Sequence, residues 1–168
     1  MNIVLSIKPE WAKKIYSGEK TIEFRHDIPR DFDMNTDYIF LYETTPVRAV
    51  TGVMKIESFM NIQKIFNSEN TKMKKYIIEK GCLSFDDIKQ YTPNLKMWGW
   101  CICCAYRWPY REFITRVSPS EKPPQSWCYT KASVICGTFN FDHKINEKTR
   151  NKEKEIYKYW VKHDGGKK

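Results

Sequence analysis

One segment, residues 98–110 with the sequence WGWCICCAYRWPY, constrains the fold more than any other part of the chain. Side chains of a β-strand point alternately to its two faces, and that period sorts the residues of this segment by size. One face carries mostly large side chains, namely Trp98, Trp100, Ile102, Cys104, Tyr106 and Trp108. The other face, from Gly99 to Arg107, is mostly small and admits a close neighbour. We therefore predict a long strand whose single large face builds the core of a sheet.

A second strand is predicted within residues 18–25, GEKTIEFR, because polar and apolar side chains alternate there. Ile22 and Phe24 share one face, whereas Thr21, Glu23 and Arg25 share the other. The polar face carries both signs of charge. It is either the solvated outside of a half-buried strand or the lining of a cleft, and the alternation alone leaves both interpretations open.

The rest of the N-terminal half predicts further strands and one short helix. Residues 2–7 are expected to form a strand, and the helix that follows begins at Pro9 and ends near Gly18. Residues 36–43 are apolar on both faces, as in a strand that is covered on two sides. Residues 47–59 are expected to form another strand, with Gly52 at a bulge.

Residues 61–91 show the three- and four-residue spacing of helices, and Ser84 with Asp87 three positions later resembles a helix N-terminal cap. Residues 111–117 are expected to continue as a strand. With 168 residues the chain suits a single core. We predict one domain over residues 1–140, with the helices of residues 61–91 inserted between its strands, and a basic helical extension over residues 141–168.

The charge of the chain favours a polyanionic partner. Lys and Arg number 29 against 20 Asp and Glu, a formal net charge of +9, and basic side chains that neutralise phosphates release condensed counterions. Part of the excess lies in residues 141–168, with nine Lys or Arg against five Asp or Glu. A solvated helix is the alternative explanation for that tail.

The cysteines and the apolar runs indicate a protein of a reducing cytoplasm. The longest apolar run, residues 97–106, is half the roughly 20 residues that a spanning helix needs, and the N-terminus shows no signal-peptide core. Six cysteines are present, but Cys101, Cys103 and Cys104 lack the C-x-x-C spacing of a structural zinc site. We expect free thiols, no metal and no other cofactor.

Several segments resemble the ASCH domain, a member of the PUA-like superfamily. Residues 5–25, LSIKPEWAKKIYSGEKTIEFR, contain the pattern G-x-K-T-x-E-x-R after I-K-P and a short helix. Residues 40–56, FLYETTPVRAVTGVMKI, follow it, and residues 105–113 and 122–127, AYRWPYREF and KPPQSW, match later on. The resemblance covers about residues 3–56 and 98–130, and a small free-standing domain of this type suits a bacterium or a phage.

The resemblance implies an α+β fold, a PUA-like small antiparallel β-barrel with flanking helices, and a cleft beside the first helix and the strand after it. In that cleft Glu23 would accept from an exocyclic amine, while Arg25 and Lys8 would donate to a phosphate or carbonyl. Trp127 or Tyr42 would stack on the base. The candidate site residues are Lys8, Lys20, Thr21, Glu23, Arg25, Tyr42, Gln125, Ser126 and Trp127.

The first interpretation of this cleft is a binder of RNA or single-stranded nucleic acid that takes one nucleobase, including a modified nucleoside. The alternative is a hydrolase acting on RNA or on a modified cytidine, with Lys20, Glu23 and Ser126 as catalytic candidates. ASCH-like amidohydrolases of acetylated cytidine use a threonine where this chain has Glu23, and that departure removes the hydroxyl nucleophile. A third interpretation is a protein-interaction module that uses the tail helix.

Overall fold

The computed structural model describes residues 1–132, 134–135 and 138–139. Its main sheet has six strands: β1 (Ile3–Ile7), β2 (Ile22–Arg25), β3 (Ile39–Glu43), β4 (Ala49–Asn61), β5 (Trp98–Glu112) and β6 (Trp127–Tyr129). Its helices are α1 (Pro9–Tyr16), α2 (Ile62–Asn67), α3 (Thr71–Gly81) and α4 (Phe85–Tyr91). A short 3₁₀ helix spans Ile114–Arg116, and β7 (Val134–Ile135) pairs with β8 (Thr138–Phe139).

The six strands are arranged in the order β2-β5-β4-β3-β1-β6 and curl into a half-barrel. Only β1 and β3 pair in parallel, whereas the other neighbours are antiparallel. The predicted α+β, PUA-like class is therefore confirmed. None of the helices that the structure describes combines the length and apolar character needed to cross a membrane.

Apolar side chains form three clusters. The first joins α1 to one face of the sheet and includes Ile3, Leu5, Ile15, Leu41 and Trp100. The second covers the other face with Val4, Phe40, Val53 and Trp108. The third lies between β2 and the helices of residues 62–91, with Ile22, Phe24, Ile62, Ile77 and Ile88. Burial of this kind stabilises a fold by about 25 cal/mol per Å² of apolar surface removed from water, so the third cluster fixes α2, α3 and α4 against β2.

The helix boundaries that the sequence predicts are confirmed. Pro9 occupies the first turn of α1, where its missing N–H leaves no acceptor unpaired, and Gly18 follows the helix with a φ of 78°. In α4, the Ser84 hydroxyl accepts from the Asp87 N–H, and the Asp87 carboxylate accepts from the Ser84 N–H. Local hydrogen bonding therefore suffices to place these ends.

The prediction of one uninterrupted large face on residues 98–108 is wrong. The β4–β5 register slips between Ile56 and Lys55, so Cys103 is left out of the pairing between Ile102 and Cys104. Trp100 and Ile102 pack in the first cluster, but Trp108 packs in the second, on the other face of the sheet. A bulge inserts one residue and reverses the facing of every residue after it.

The prediction of a strand over residues 111–117 is also wrong, because β5 ends at Glu112. The Glu112 carboxylate accepts from the Phe113 backbone N–H at 2.8 Å, and the chain then enters the 3₁₀ helix. The expected bulge at Gly52 is confirmed by a register shift between Val50 and Gly52. The predicted helix of residues 141–168 lies outside the described residues, and the domain boundaries remain a prediction.

Gly52 is required by a close approach of three segments. A Cβ at this position would overlap the Tyr106 carbonyl oxygen and lie 2.8 Å from the Tyr16 hydroxyl. We expect Gly52→Ala to lower the free energy of unfolding by about 2–3 kcal/mol, because the backbone must move. Gly18→Ala is the matched control. Its Cβ would meet open space, so only the strain of the positive φ lowers the free energy of unfolding, by about 1 kcal/mol. Urea unfolding measures both, and equal losses would contradict the packing argument.

Candidate functional site

A cavity of about 350 Å³ lies between α1, β2 and α4, and we call it the β2 cavity. Its walls come from the end of β1, from α1, from β2 and from the last two turns of α4. The lining residues that carry chemistry are Lys8, Trp11, Lys20, Glu23, Arg25 and Tyr91. Glu23 and Arg25, from the polar face of β2, therefore line a hollow. Of the two interpretations of residues 18–25, the structure favours the lining of a cleft.

Glu23 holds two cations at the base of this cavity. One carboxylate oxygen lies 2.8 Å from Arg25 Nη2, and the other lies 3.4 Å from Lys20 Nζ. The three residues are 7%, 9% and 2% exposed, respectively. Charges at such depth are costly unless they are paired, and here one carboxylate compensates two cations. The cluster keeps a formal charge of +1.

Lys20 is engaged on every side. Its ammonium donates to the carbonyl oxygens of Ile22 and Gly81 at 2.7 Å each, in addition to its contact with Glu23. Its Nζ also lies 5.5 Å from the Trp11 ring centre and 5.1 Å from that of Phe24, within cation–π range. A base or nucleophile needs a free lone pair. These contacts suit Lys20 to a structural role and not to that of a base.

Arg25 links β2 to two other segments. Nη2 donates to the Ser6 carbonyl at 2.9 Å, and Nη1 donates to the Ser126 hydroxyl at 3.2 Å. Its Nε is buried with no hydrogen-bond partner among the described residues. A buried donor without an acceptor costs about 1–3 kcal/mol.

One further sequence candidate lines the β2 cavity, and two others lie in the loop that contacts Arg25. Lys8 lies at the mouth of the cavity with a side chain that is 72% exposed, 3.9 Å from Glu10. Ser126 does not line the cavity, but its hydroxyl accepts from Arg25 and its carbonyl accepts from the Ser6 N–H at 2.9 Å. Gln125 precedes it as an exposed loop residue.

Three further candidates are placed elsewhere. Tyr42 is only 5% exposed and packs in the second cluster, so it cannot stack on a base in the β2 cavity. Thr21 lines a different cavity, described below. Trp127 is half-buried against Trp100, and its indole N–H donates to Asp27 at 2.9 Å. Through that contact Trp127 connects β6 to the loop after β2.

Two aromatic residues of the cavity were missed from the sequence. Trp11 of α1 was not among the candidates, although it lines the hollow. Tyr91 is 54% exposed at the end of α4 and stacks on His26, with 4.9 Å between ring centres and 15° between planes. Only the fold brings Tyr91 beside β2, so no local sequence signal marks it.

Asp87 also lines the cavity, but it is committed to the start of α4. Hydrogen bonds from the Ser84 hydroxyl and N–H hold the pKa of this carboxyl below its ordinary value. The carboxylate is therefore charged at neutral pH. It adds an acceptor on the α4 side of the hollow.

A second cavity, of about 390 Å³, lies between the end of α1 and β5, and we call it the β5 cavity. Thr21, Ser17, Cys103 and Tyr106 are among its lining residues. Lys20 lines both cavities. The two hollows are therefore separated by the chain at Lys20.

The sequence of the chain matches a known domain family and a characterised relative. The family model of the ASCH domain matches residues 5–132. An ASCH domain-containing ribonuclease of Zymomonas mobilis is 42% identical over 57 residues, which are 34% of this chain and 37% of that protein. The sequence match thus spans little more than a third of the relative's length.

Solved structures agree over a larger part of the chain. The crystal structure of ASCH from Zymomonas mobilis superimposes with a TM-score of 0.58 at 20% identity, covering 90% of this chain and 92% of that one. A mutant of the same protein gives a TM-score of 0.57 at 20% identity, covering 92% and 95%. At this identity the likeness concerns the fold.

The Lys20 contacts predict a large stability cost for its removal. Lys20→Met leaves Glu23 with one cation and leaves two backbone carbonyls without their donor, so we expect the free energy of unfolding to fall by about 3 kcal/mol. Lys13→Met on the exposed side of α1 is the control, with a change within about 0.5 kcal/mol. Urea unfolding compares the two. A Lys20→Met protein as stable as the control would show that the cluster is not holding the site.

Proposed function

The chain belongs to the ASCH domain family, and from that membership we propose that it binds RNA and holds one nucleobase in the β2 cavity. The observation that carries the proposal is the Lys20–Glu23–Arg25 cluster, which puts an acceptor between two donors at the base of a hollow. The edge of a nucleobase offers carbonyl acceptors and amine donors side by side. A site with both kinds of group suits such an edge.

The cluster suits a base better than a phosphate. Glu23 would repel a phosphate placed against it, whereas its remaining lone pairs can accept from an exocyclic amine. Lys8, exposed at the mouth of the cavity, supplies a donor for a base carbonyl. An amine that carries a small modification would enter the same hollow, so modified nucleosides are within the proposal.

Aromatic side chains support the same occupant. Trp11 lines the cavity from α1, and Tyr91 lines it from α4 with more than half of its surface exposed. Stacking of a base on an aromatic side chain is worth about 1–3 kcal/mol and tolerates all four bases. The net charge of +9 adds attraction for the phosphates on either side of the bound base.

The choice of RNA rests on the relative from Zymomonas mobilis, which is named a ribonuclease. An unpaired strand is the form that can present a base to a hollow, since bases in a duplex are stacked and paired. We therefore propose single-stranded RNA as the partner.

Cleavage of the bound RNA is the second candidate function. The observation that favours it is the hydrogen bond between Arg25 Nη1 and the Ser126 hydroxyl at 3.2 Å, because it places a guanidinium beside an exposed hydroxyl. A phosphodiester placed at Ser126 would meet this charge as its phosphorus gains a fifth oxygen, and preorganised donors stabilise such charge. The nucleophile is the neighbouring ribose 2′-hydroxyl, which RNA itself provides. Its oxygen bonds to phosphorus, the bond from phosphorus to the 5′-oxygen of the next nucleotide breaks, and water carries the hydroxyl proton to that leaving oxygen, so the product is a 2′,3′-cyclic phosphate.

Hydrolysis of an acylated cytidine has less support from the same geometry. Glu23 stands where the resembling amidohydrolases have a threonine, and both of its carboxylate oxygens already contact cations. These contacts leave neither oxygen free to activate a water molecule. A modified nucleoside is therefore proposed as a ligand and not as a substrate.

Tyr91 provides a test of base binding that does not disturb the core. We expect Tyr91→Ala to weaken binding of a fluorescein-labelled 12-nucleotide RNA about fivefold, because one stacking surface is lost. Tyr76→Ala is the control, since Tyr76 is 45% exposed on α3 and does not line the cavity. Fluorescence polarisation measures both variants. Equal affinities for the two would contradict the proposed position of the base.

Ser126 provides the test of cleavage. We expect Ser126→Ala to slow the cleavage of a labelled RNA about tenfold or more, because Arg25 loses the contact that orients Nη1. Ser120→Ala in the same exposed loop should leave the rate unchanged. Gel analysis of the products gives the rates. If the unaltered protein yields no product, the ribonuclease candidate fails while the binding proposal stands.

A further inference from the structure

We propose that the β5 cavity is a second nucleotide subsite, in which Arg107 binds the phosphate that follows the base held in the β2 cavity. The proposal rests on the proposed function, because it assigns the neighbouring nucleotide of the same strand. It assigns a role to Arg107, which was not a candidate from the sequence. It also assigns a role to Thr21, which lines the β5 cavity and not the β2 cavity.

The β5 cavity has the size and composition of a ligand site. Its volume of about 390 Å³ falls within the range of known small-molecule pockets. Apolar walls come from Ile15, Ile102 and Ala105, and hydroxyl groups come from Ser17 and Thr21. Such a mixture suits a ribose and the face of a base.

Arg107 does not itself line this cavity, but it follows the lining residue Tyr106 and is held there by a buried partner. Its Nη2 lies 3.0 Å from the carboxylate of Glu43, which is only 1% exposed. Its guanidinium carbon lies 5.4 Å from the ring centre of Tyr16, a lining residue. The Arg107 side chain is nevertheless 46% exposed. A guanidinium has five N–H donors, so those that do not face Glu43 remain accessible to a phosphate.

The Tyr16 ring under Arg107 is itself fixed. Its hydroxyl forms a hydrogen bond of 2.9 Å with the Thr51 hydroxyl, and burial raises the pKa of this phenol above its ordinary value. Arg107 is thereby positioned from two sides before any ligand arrives. Preorganisation of this kind reduces the entropy that binding must overcome.

The two cavities are close enough for adjacent nucleotides. Lys20 lines both of them, and Thr21 in the β5 cavity is two residues from Glu23 in the β2 cavity. Two residues of extended chain span about 6–7 Å. The path of a strand from one hollow to the other therefore passes Lys20, which leaves the phosphate between the two sugars to Arg107.

The experiment compares a nucleoside with a dinucleotide by calorimetry. The probes are 2′-fluorocytidine and the 2′-fluoro dinucleotide CpC, which lacks the 2′-hydroxyl that cleavage needs. We expect the protein to bind the dinucleotide about tenfold tighter or more, because a charge-assisted contact is added. Arg107→Gln should remove most of that gain without changing the affinity for the nucleoside. Arg111→Gln, at another exposed arginine four residues further along β5, should keep the gain.

Arg107→Gln leaves Glu43 without its cation, so a loss of binding in this variant could come from misfolding. A second variant tests the subsite without that change. Cys103 is exposed and lines the β5 cavity, so Cys103→Phe fills the hollow without touching a buried charge. It should also remove the gain. The subsite is overturned if the nucleoside binds and the dinucleotide gains nothing, or if Arg111→Gln loses as much as Arg107→Gln. If neither probe binds, the proposed function itself fails.

Discussion

The Glu23 carboxylate, placed between Lys20 and Arg25, is the interaction on which the rest of the site depends. Without it two cations would share a buried space, and like charges at that depth repel strongly. Through Lys20 the cluster reaches the carbonyl of Gly81 at the end of α3, and through Arg25 it reaches Ser6 of β1. One carboxylate thus ties the first strand, the second strand and the inserted helices around a single hollow.

The order of the strands explains how these groups meet. β2 pairs only with β5 at one end of the described sheet, so its outer edge is free to receive α3 and α4. The Thr21 N–H donates to the Lys80 carbonyl across this edge at 2.9 Å. Residues 62–91 therefore do more than cover an exposed edge, since Tyr91 and Asp87 complete the wall of the β2 cavity.

Local sequence patterns correctly predicted those features of the fold that depend on interactions within a few residues. The alternation in residues 22–25, Pro9 before α1 and the Ser84–Asp87 cap each act within a few residues, and each was recognised correctly. The bulge at Cys103 was not, because a register shift depends on the partner strand β4 and leaves no mark on β5 alone. Likewise β3 is buried on both faces, so its sequence could not tell which face of the sheet Tyr42 joins.

The most direct test of base binding in the β2 cavity is a crystal structure of the protein soaked with cytidine. We expect the base in the β2 cavity, with its edge about 2.7–3.2 Å from the Glu23 carboxylate and with its face against Trp11 or Tyr91. Cytidine bound elsewhere, with the Lys20–Glu23–Arg25 cluster untouched, would contradict it.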